Sequence, residues 1–264
     1  MIVTGWHWRN WQGLPYLTCS LLEPIPHGFF TRHFAPRPPA ELAPVLDEAA
    51  QTFRVKQVHG DRVVAPAEIA EITAGAVLQE ATATASEQST YPQADGLLSD
   101  RPGQVMWVCS ADCTPALIAD LKTGQVAAVH SGWRGTAAAI VPKAIERMRQ
   151  QGSQLADLRV ALGPAISGSV YQVTEAVAEE VVASLAVPLK EAQGWEQPPV
   201  LPDPEPGKAR LDVRQTIVQQ VLNLGLDREQ VTIAPHCTYC ERDRFFSYRR
   251  DGTKTVQWSG IVST

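Results

Sequence analysis

Two short motifs hold a thiol and an imidazole that could act together, Ser110-Ala-Asp-Cys-Thr-Pro115 and His130-Ser-Gly-Trp-Arg-Gly135. Cys113 and His130 are residue types that bind transition metals or form a nucleophile and base in catalysis. The motifs therefore predict either a metal centre or a Cys/His catalytic pair.

The segments around these two residues predict a hairpin that would bring them together. Residues 114–120 and 125–130 have the composition of strands, and the four residues between them, which end in Gly124, form a tight turn. In that register His130 is the diagonal neighbour of Cys113 on one face of the sheet, roughly 7–8 Å away at the backbone. A slip of one residue would put the two side chains on opposite faces.

His59, in Lys56-Gln-Val-His59-Gly60, is a third candidate ligand at the end of a strand predicted over 53–58. Two imidazoles and a thiolate form a three-ligand zinc set, and catalytic zinc typically keeps three protein ligands and one open position. The sequence alone does not bring His59 to the other two residues. A buried structural cysteine and a surface histidine are the alternatives.

The loop after His130 is a candidate anion site. Gly132 and Gly135 allow backbone amides to approach a ligand, the start of a helix favours negative charge, and Arg134 can clamp an anion. A plain strand-to-helix turn with a surface arginine is the alternative. For Cys237-x-x-Cys240, half of a zinc knuckle, a redox pair and a structural role are all open, and the lack of a second such pair favours a structural role.

Composition narrows the class of protein. The 264 residues are 44% hydrophobic and 19% charged, enough for a substantial core. The net charge of −5 argues against a nucleic-acid partner, and no apolar run has the length of a membrane span. The five cysteines, an odd number, and the lack of a signal-like N-terminus favour a reducing, cytoplasmic location.

The order of predicted elements indicates an α+β fold, a single layered domain (1–264) of mixed, largely antiparallel sheets with flanking helices. Within it, 65–92 reads as an acidic mobile insertion and the six prolines of 187–210 predict an exposed loop. A helix is predicted over 40–53. Three tryptophans of an N-terminal hairpin could form the contact surface of a homodimer: Trp6, Trp8 and Trp11.

Several ordered motifs resemble the YfiH family, whose members have been called laccase-domain proteins, multicopper polyphenol oxidases, purine nucleoside phosphorylases and peptidoglycan editing factors. The similarity runs from His27 to Gly252. The motifs that carry it are Gln57-Val-His-Gly60, Asp95-Gly96, Ala111-Asp-Cys-Thr-Pro115, His130-Ser-Gly-Trp-Arg-Gly135, Gly163-Pro-Ala-Ile-Ser-Gly168, Cys237-Thr-Tyr-Cys240 and Phe245-Phe-Ser-Tyr-Arg-Arg250.

The resemblance implies a metal, usually zinc, on the positions of His59, Cys113 and His130. It also implies a pocket for a purine nucleoside and phosphate, with Arg32 and Gln57 among the binding residues. The chain departs from the family pattern after Arg32 and after Gly252, where it reads Thr253-Lys-Thr. Changes there would alter substrate preference if those segments touch the ligand.

Three functions are consistent with these residues. The first is a zinc-dependent purine nucleoside enzyme that phosphorolyses adenosine, inosine or methylthioadenosine and deaminates adenosine, because zinc lowers the pKa of bound water to about 7. Asp95 or Asp112 would then transfer protons, and Asp112 could instead orient a histidine.

The second function is a copper-dependent, laccase-like polyphenol oxidase, since two histidines and a cysteine also suit copper. Six histidines in the chain are too few for full multicopper machinery. The third is a metal-free hydrolase with Cys113 as nucleophile and His130 as base, for which no third, orienting residue is evident. A non-enzymatic editing partner in cell-wall synthesis is also open.

Overall fold

In the computed structural model, residues 5–71 and 91–264 are described. Within these residues, parallel and antiparallel strands form two six-stranded sheets and one three-stranded sheet. The predicted α+β class with mixed, largely antiparallel sheets is confirmed. That residues 1–264 form one domain stays a prediction.

The first sheet has the strand order β1-β2-β3-β15-β7-β4. The N-terminal hairpin predicted from the sequence forms its edge, where β1 pairs antiparallel with β2. The strands are β1 (Trp6–Trp11), β2 (Leu14–Cys19), β3 (His27–Phe30), β4 (Gln51–Phe53), β7 (Gln104–Ser110) and β15 (Gln257–Val262).

The second sheet has the order β14-β10-β8-β9-β6-β5 and carries the predicted Cys/His hairpin. The strands are β5 (Val63–Val64), β6 (Gly96–Leu98), β8 (Thr114–Asp120), β9 (Val126–Ser131), β10 (Leu158–Leu162) and β14 (Val231–Ile233). A small third sheet joins β11 (Gln172–Thr174), β13 (Lys208–Leu211) and β12 (Val200–Pro202).

The helices lie along the edges and outer face of this arrangement. They are α1 (Pro39–Leu46), α2 (66–71), α3 (Trp133–Ala137), α4 (Ile140–Gln150), α5 (Glu175–Ala183), α6 (Leu189–Gln193), α7 (Val213–Asn223) and α8 (Tyr248–Asp251). Short 3-10 helices occur at Ser20–Leu22, Arg32–Phe34, Leu155–Asp157 and Arg228–Gln230.

Strand β8 shows how the layers are built. All seven of its residues are buried, and successive side chains enter different cores because strand side chains alternate between faces. Ile118 packs in a core shared with α4, α5 and α7. Leu117 packs in a second core shared with Met106 of β7 and Ile261 of β15. The second sheet is therefore sandwiched between the first sheet and a layer of helices.

Two of the predicted elements were wrong. The helix expected over 40–53 ends at Leu46, and residues 51–53 form β4 instead. The segment 187–210, expected as an exposed loop, contains α6, β12 and the start of β13, and buries Ala192 and Val200. The apolar residues between the prolines supply the contacts that fix this segment.

The insertion expected at 65–92 falls largely outside the described residues, and its described beginning, 66–71, is helical. Among the described residues, no helix is both long and apolar enough to cross a membrane.

Candidate metal centre and cavity

The register of β8 and β9 is the one predicted. Pro115 pairs with His130 and Thr114 with Ser131, so that Cys113 and His130 are diagonal neighbours at the end of the hairpin. The amide of Asp120 donates to the carbonyl of Gln125 at 2.9 Å and closes the four-residue turn. The proximity of thiol and imidazole therefore follows from local strand pairing.

His59 joins these two residues. One ligand atom each from His59, Cys113 and His130 lies within 4.8 Å of the others, and the two imidazole rings meet edge to face with centroids 4.9 Å apart. Among the described residues, this is the one group of three or more His, Cys, Asp or Glu side chains arranged to hold a metal ion. These three residues therefore form a candidate His/Cys/His metal site, and the donor set suits a borderline-soft metal.

A loop, and not the predicted strand, holds His59. Strand β4 ends at Phe53, and His59 has a left-handed backbone with φ of 61°. The carboxylate of Asp95 accepts hydrogen bonds from three successive amides, of Val58 (3.1 Å), His59 (2.9 Å) and Gly60 (2.7 Å). This backbone nest for a carboxylate fixes the loop against β6, because Asp95 directly precedes that strand.

Asp95 also orients His130. Its Oδ1 lies 2.9 Å from His130 Nδ1, and both side chains are buried. Although burial works to raise it, hydrogen bonds from His130 and from backbone amides hold the pKa of the Asp95 carboxyl below its usual value. With Nδ1 engaged, Nε2 of His130 is the ring nitrogen left for a metal. For a Cys113/His130 hydrolase no orienting residue was evident from the sequence, and this contact supplies one.

The two thiols that line the site differ in their surroundings. Burial opposes ionisation of Cys113, but the imidazoles of His130 and His59 outweigh it and lower the pKa of its thiol to about 6. Burial raises the pKa of the Cys109 thiol to about 11. Burial alone would lower the pKa of His130, whereas Cys113 and Asp95 raise it to about 9. A thiolate ready to bind a metal is therefore confined to Cys113.

Gly132 makes room for that sulfur. It caps α3 with ordinary extended angles, φ −80° and ψ 178°, and an added Cβ would lie 2.9 Å from Cys113 Sγ and 3.5 Å from His59 Cδ2. A Cβ added at Gly135 would likewise lie 3.0 Å from the carbonyl oxygen of Gly60. The glycines of this motif permit close packing around the metal ligands.

Gly132→Ala is expected to lower zinc affinity by about tenfold or more, because displaced ligands bind metals poorly. The free energy of unfolding should change little, since the backbone of Gly132 suits alanine. Competition with a chelator measures the affinity, and urea unfolding of the metal-free protein measures stability. Gly194→Ala, with its nearest contact 3.4 Å away at a distant helix end, is the matched control. An unchanged affinity in Gly132→Ala would contradict this packing role.

The three ligands line a cavity of about 630 Å³, within the usual range for small-molecule sites. Its wall also holds aromatic and cationic side chains. These are Trp133, Tyr171, Tyr248, Arg249 and Lys254. Residues 253–256 border the cavity, so the sequence departure after Gly252 lies at the site.

Three other residues predicted to bind a ligand contact other residues of the protein. Gln57 lines the cavity, but its amide binds the backbone of Cys109 through two hydrogen bonds of 2.7 and 2.8 Å. Arg134 lines the cavity and stacks on Trp133, with 4.2 Å from its guanidinium to the ring centroid. Arg32 lies against Phe246 in a neighbouring depression that shares Thr253 and Thr255 with the cavity.

Asp112 does not contact either histidine. Its carboxylate accepts hydrogen bonds from the hydroxyls of Thr238 (2.7 Å) and Ser247 (3.0 Å) and from the amide of Arg249 (2.7 Å). These donors anchor the start of α8. Arg249 and Arg250 belong to this short helix, which Ser247 caps.

Comparison with known proteins agrees with this fold and site. The model of the multi-copper polyphenol oxidoreductase laccase family matches residues 40–263. The chain belongs to this family, and the resemblance predicted from its motifs is confirmed.

Individual relatives carry other names. A protein named purine nucleoside phosphorylase from Synechocystis sp. is 52% identical over 98% of this chain and 97% of its own length. A protein named adenosine deaminase from an unknown prokaryotic organism is 31% identical over 63% of this chain and 60% of its own length. The crystal structure of YfiH from Bacillus licheniformis superposes with a TM-score of 0.75 at 25% identity, covering 97% of this chain and 99% of that one.

Proposed function

We propose that the protein is a zinc-dependent purine nucleoside phosphorylase. The observation that carries the proposal is the gathering of His59, Cys113 and His130 in the wall of a cavity that also presents aromatic and cationic side chains. The name of the relative that is 52% identical over nearly the whole chain supports the same activity.

The aromatic residues suit a purine base. Trp133, Tyr171 and Tyr248 line the cavity, and bases stack on aromatic faces with about 1–3 kcal/mol per base. Arg249 lies over the ring of Tyr171, 4.8 Å from its centroid, and donates to the carbonyl of Gln172, which fixes the orientation of both side chains.

The cationic residues suit phosphate. Within the described residues, the guanidinium of Arg134 has no carboxylate at ion-pair distance, and stacking on Trp133 holds it at the cavity. A planar guanidinium binds phosphate through paired hydrogen bonds. In phosphorolysis a phosphate oxygen bonds to ribose C1′ while the bond to the purine nitrogen breaks. Arg134 would hold the phosphate for that attack.

His59, Cys113 and His130 fit zinc, which when bound would act as a Lewis acid that stabilises negative charge. The remaining work falls to the residues around them. Asp95 keeps the proton of His130 on Nδ1, and its nest of amides keeps His59 in place.

Adenosine deamination is a second activity proposed for the same site, supported by the name of one relative. The structure favours phosphorolysis over it. Deamination requires proton transfer by a carboxylate. However, the carboxylate of Asp95 accepts four hydrogen bonds and that of Asp112 accepts three. Neither carboxylate has the freedom that a proton shuttle requires.

The positions of the histidines do not fit a multicopper oxidase. The described residues include all six, and His59 and His130 are the two that line the cavity. His27 is engaged by the amide of Cys19 and the carbonyl of Ile25, and His236 binds Glu241.

A metal-free Cys/His hydrolase is the second candidate function. The order Asp95, His130, Cys113 matches an orienting carboxylate, a base and a nucleophile. In that mechanism His59 would not be required, and this separates the two candidates.

Product analysis tests the proposal. The purified protein is incubated with adenosine, with and without inorganic phosphate, and adenine and inosine are resolved. We expect adenine to form only with phosphate. Inosine formed independently of phosphate would establish deamination instead. The absence of both adenine and inosine would refute the nucleoside proposal.

Arg134→Ala is expected to raise the KM for phosphate by about tenfold or more, because a hydrogen bond to a charged group contributes ~1.5–3 kcal/mol. The KM for adenosine should change less. Steady-state kinetics with phosphate varied at saturating adenosine measure this effect. Arg149→Ala, which removes an exposed arginine near the end of α4, is the control. Equal phosphate KM values in the two variants would exclude Arg134 from phosphate binding.

A further inference from the structure

A pair of cysteines outside the cavity lies in the turn that follows β14. Cys237 forms a parallel bridge with Ala165, and the amide of Thr238 donates to the carbonyl of Ala165 at 3.1 Å. Cys237 is half-buried, whereas Cys240 is exposed. The turn is therefore fixed at one end and open to solvent at the other.

The sulfur of Cys237 is surrounded by donors. The amide and the hydroxyl of Ser167 each lie 3.3 Å from Sγ. The backbone and the thiol of Cys240 are close enough to help lower the pKa of Cys237. Burial opposes ionisation, but these hydrogen bonds lower the pKa of Cys237, while burial and the neighbouring Cys237 raise the pKa of Cys240. The pair thus places a half-buried thiol of lowered pKa beside an exposed thiol, an arrangement suited to thiol–disulfide exchange.

A metal does not explain the pair. In the described part of the chain, no third His, Cys, Asp or Glu ligand joins Cys237 and Cys240 at metal-binding spacing. His236 is adjacent in sequence, but its Nδ1 is bound to the carboxylate of Glu241 at 2.9 Å. Two thiols without further ligands do not make a structural zinc site.

We propose that Cys237 and Cys240 form a redox site that is oxidised by low-molecular-weight disulfides. The exposed Cys240 passes its proton to Cys237 and attacks one sulfur of the small disulfide, whose S–S bond breaks to release one thiolate. Cys237 then passes that proton to the thiolate already released and attacks the sulfur of Cys240 in the mixed disulfide, which releases the second thiolate. Two protein thiols are oxidised to a disulfide, and one small disulfide is reduced to two thiols.

The turn is linked to the cavity by side chains. Thr238 lies inside the turn and its hydroxyl donates to Asp112 at 2.7 Å. Arg250 of α8 donates to the carbonyls of Thr238 (2.7 Å) and Tyr239 (2.8 Å). Closing the disulfide alters the turn that these contacts hold, so the oxidised form is expected to be less active. This expected effect of the disulfide on activity rests on the proposed phosphorolysis.

Trapping in glutathione buffers tests both parts separately. The metal-loaded protein is equilibrated at graded ratios of oxidised to reduced glutathione, alkylated and digested with trypsin. The peptide 229–242 contains Cys237 and Cys240 and no other cysteine, whereas 63–122 contains Cys109 and Cys113. We expect peptide 229–242 to lose the mass of two hydrogen atoms with a single midpoint, and dithiothreitol to reverse this.

Phosphorolysis measured on the same samples should fall by about twofold to thirtyfold with that midpoint, the usual size of coupling between linked sites. Cys240→Ser should form no internal disulfide and lose this response. A peptide 229–242 that stays reduced, or that only carries glutathione, would refute the redox site whatever the activity does. A disulfide without an activity change, or an activity loss that follows peptide 63–122, would refute the link to the cavity.

Discussion

Zinc content and phosphorolysis are expected to be lost together when His59, Cys113 or His130 is replaced by alanine. Each residue supplies one of three ligand atoms within 4.8 Å, and two ligands do not hold zinc at ordinary concentrations. The rate should fall by about a thousandfold, because a catalytic metal ion contributes several kcal/mol of charge stabilisation. Metal analysis and adenine release from adenosine and phosphate are measured on the same samples.

The His59→Ala variant is the most informative of the three. A Cys/His hydrolase with Asp95 behind His130 needs Cys113 and His130 but not His59. Activity that survives in His59→Ala and is lost in the other two variants would contradict the metal mechanism. His33→Ala, which changes an exposed histidine away from the cavity, is the control.

Asp95→Asn is expected to have the next largest effect, a loss of about 10- to 100-fold in zinc affinity. Asparagine keeps the size of the side chain but loses the charge that binds His130 Nδ1 and the amides of His59 and Gly60. The NH₂ group of asparagine also faces backbone N–H groups, and it cannot accept hydrogen bonds from them. Both histidine ligands therefore lose their support, and a competition titration with a chelator measures the result.

Asp112→Asn is the matched control for that variant. Asp112 is also buried and accepts three hydrogen bonds, but its donors belong to Thr238 and the start of α8. The expected effect is on stability, about 1–3 kcal/mol for disrupted buried hydrogen bonds, with zinc affinity nearly unchanged. A similar affinity loss in both variants would show that Asp95 acts only through general destabilisation.

The part of the site that could be predicted from sequence is the part built by local pairing. Cys113 and His130 are separated by one tight turn, so strand alternation alone places them on one face. His59 required a resemblance to a known family, because a loop with a left-handed backbone brings it into place. That loop depends on Asp95, which is 36 residues away in the chain.

The binding wall could not be predicted for a similar reason. Tyr171 and Arg249 come from segments that approach the metal ligands only in the folded chain. Asp112 accepts a hydrogen bond from the amide of Arg249 and so fixes the start of α8 beside this wall. Tertiary hydrogen bonds decided both the local structure and the membership of the site.

A multicopper site, which the name of the family implies, and a single zinc site require different sets of ligands. Copper oxidases of the multicopper type need many imidazoles, whereas one thiolate and two imidazoles complete a catalytic zinc site. Of the six histidines, His59 and His130 line the cavity, whereas His27 and His236 are engaged elsewhere. The ligand chemistry of this chain therefore favours a single metal ion.

Removal and return of the metal tests the central claim most directly. The protein is stripped with a chelator, assayed for adenine release from adenosine and inorganic phosphate, and assayed again after addition of one equivalent of zinc. We predict that the stripped protein is inactive and that zinc restores phosphorolysis with one ion bound per chain. Full activity in the stripped protein, with no metal detected, would contradict the account.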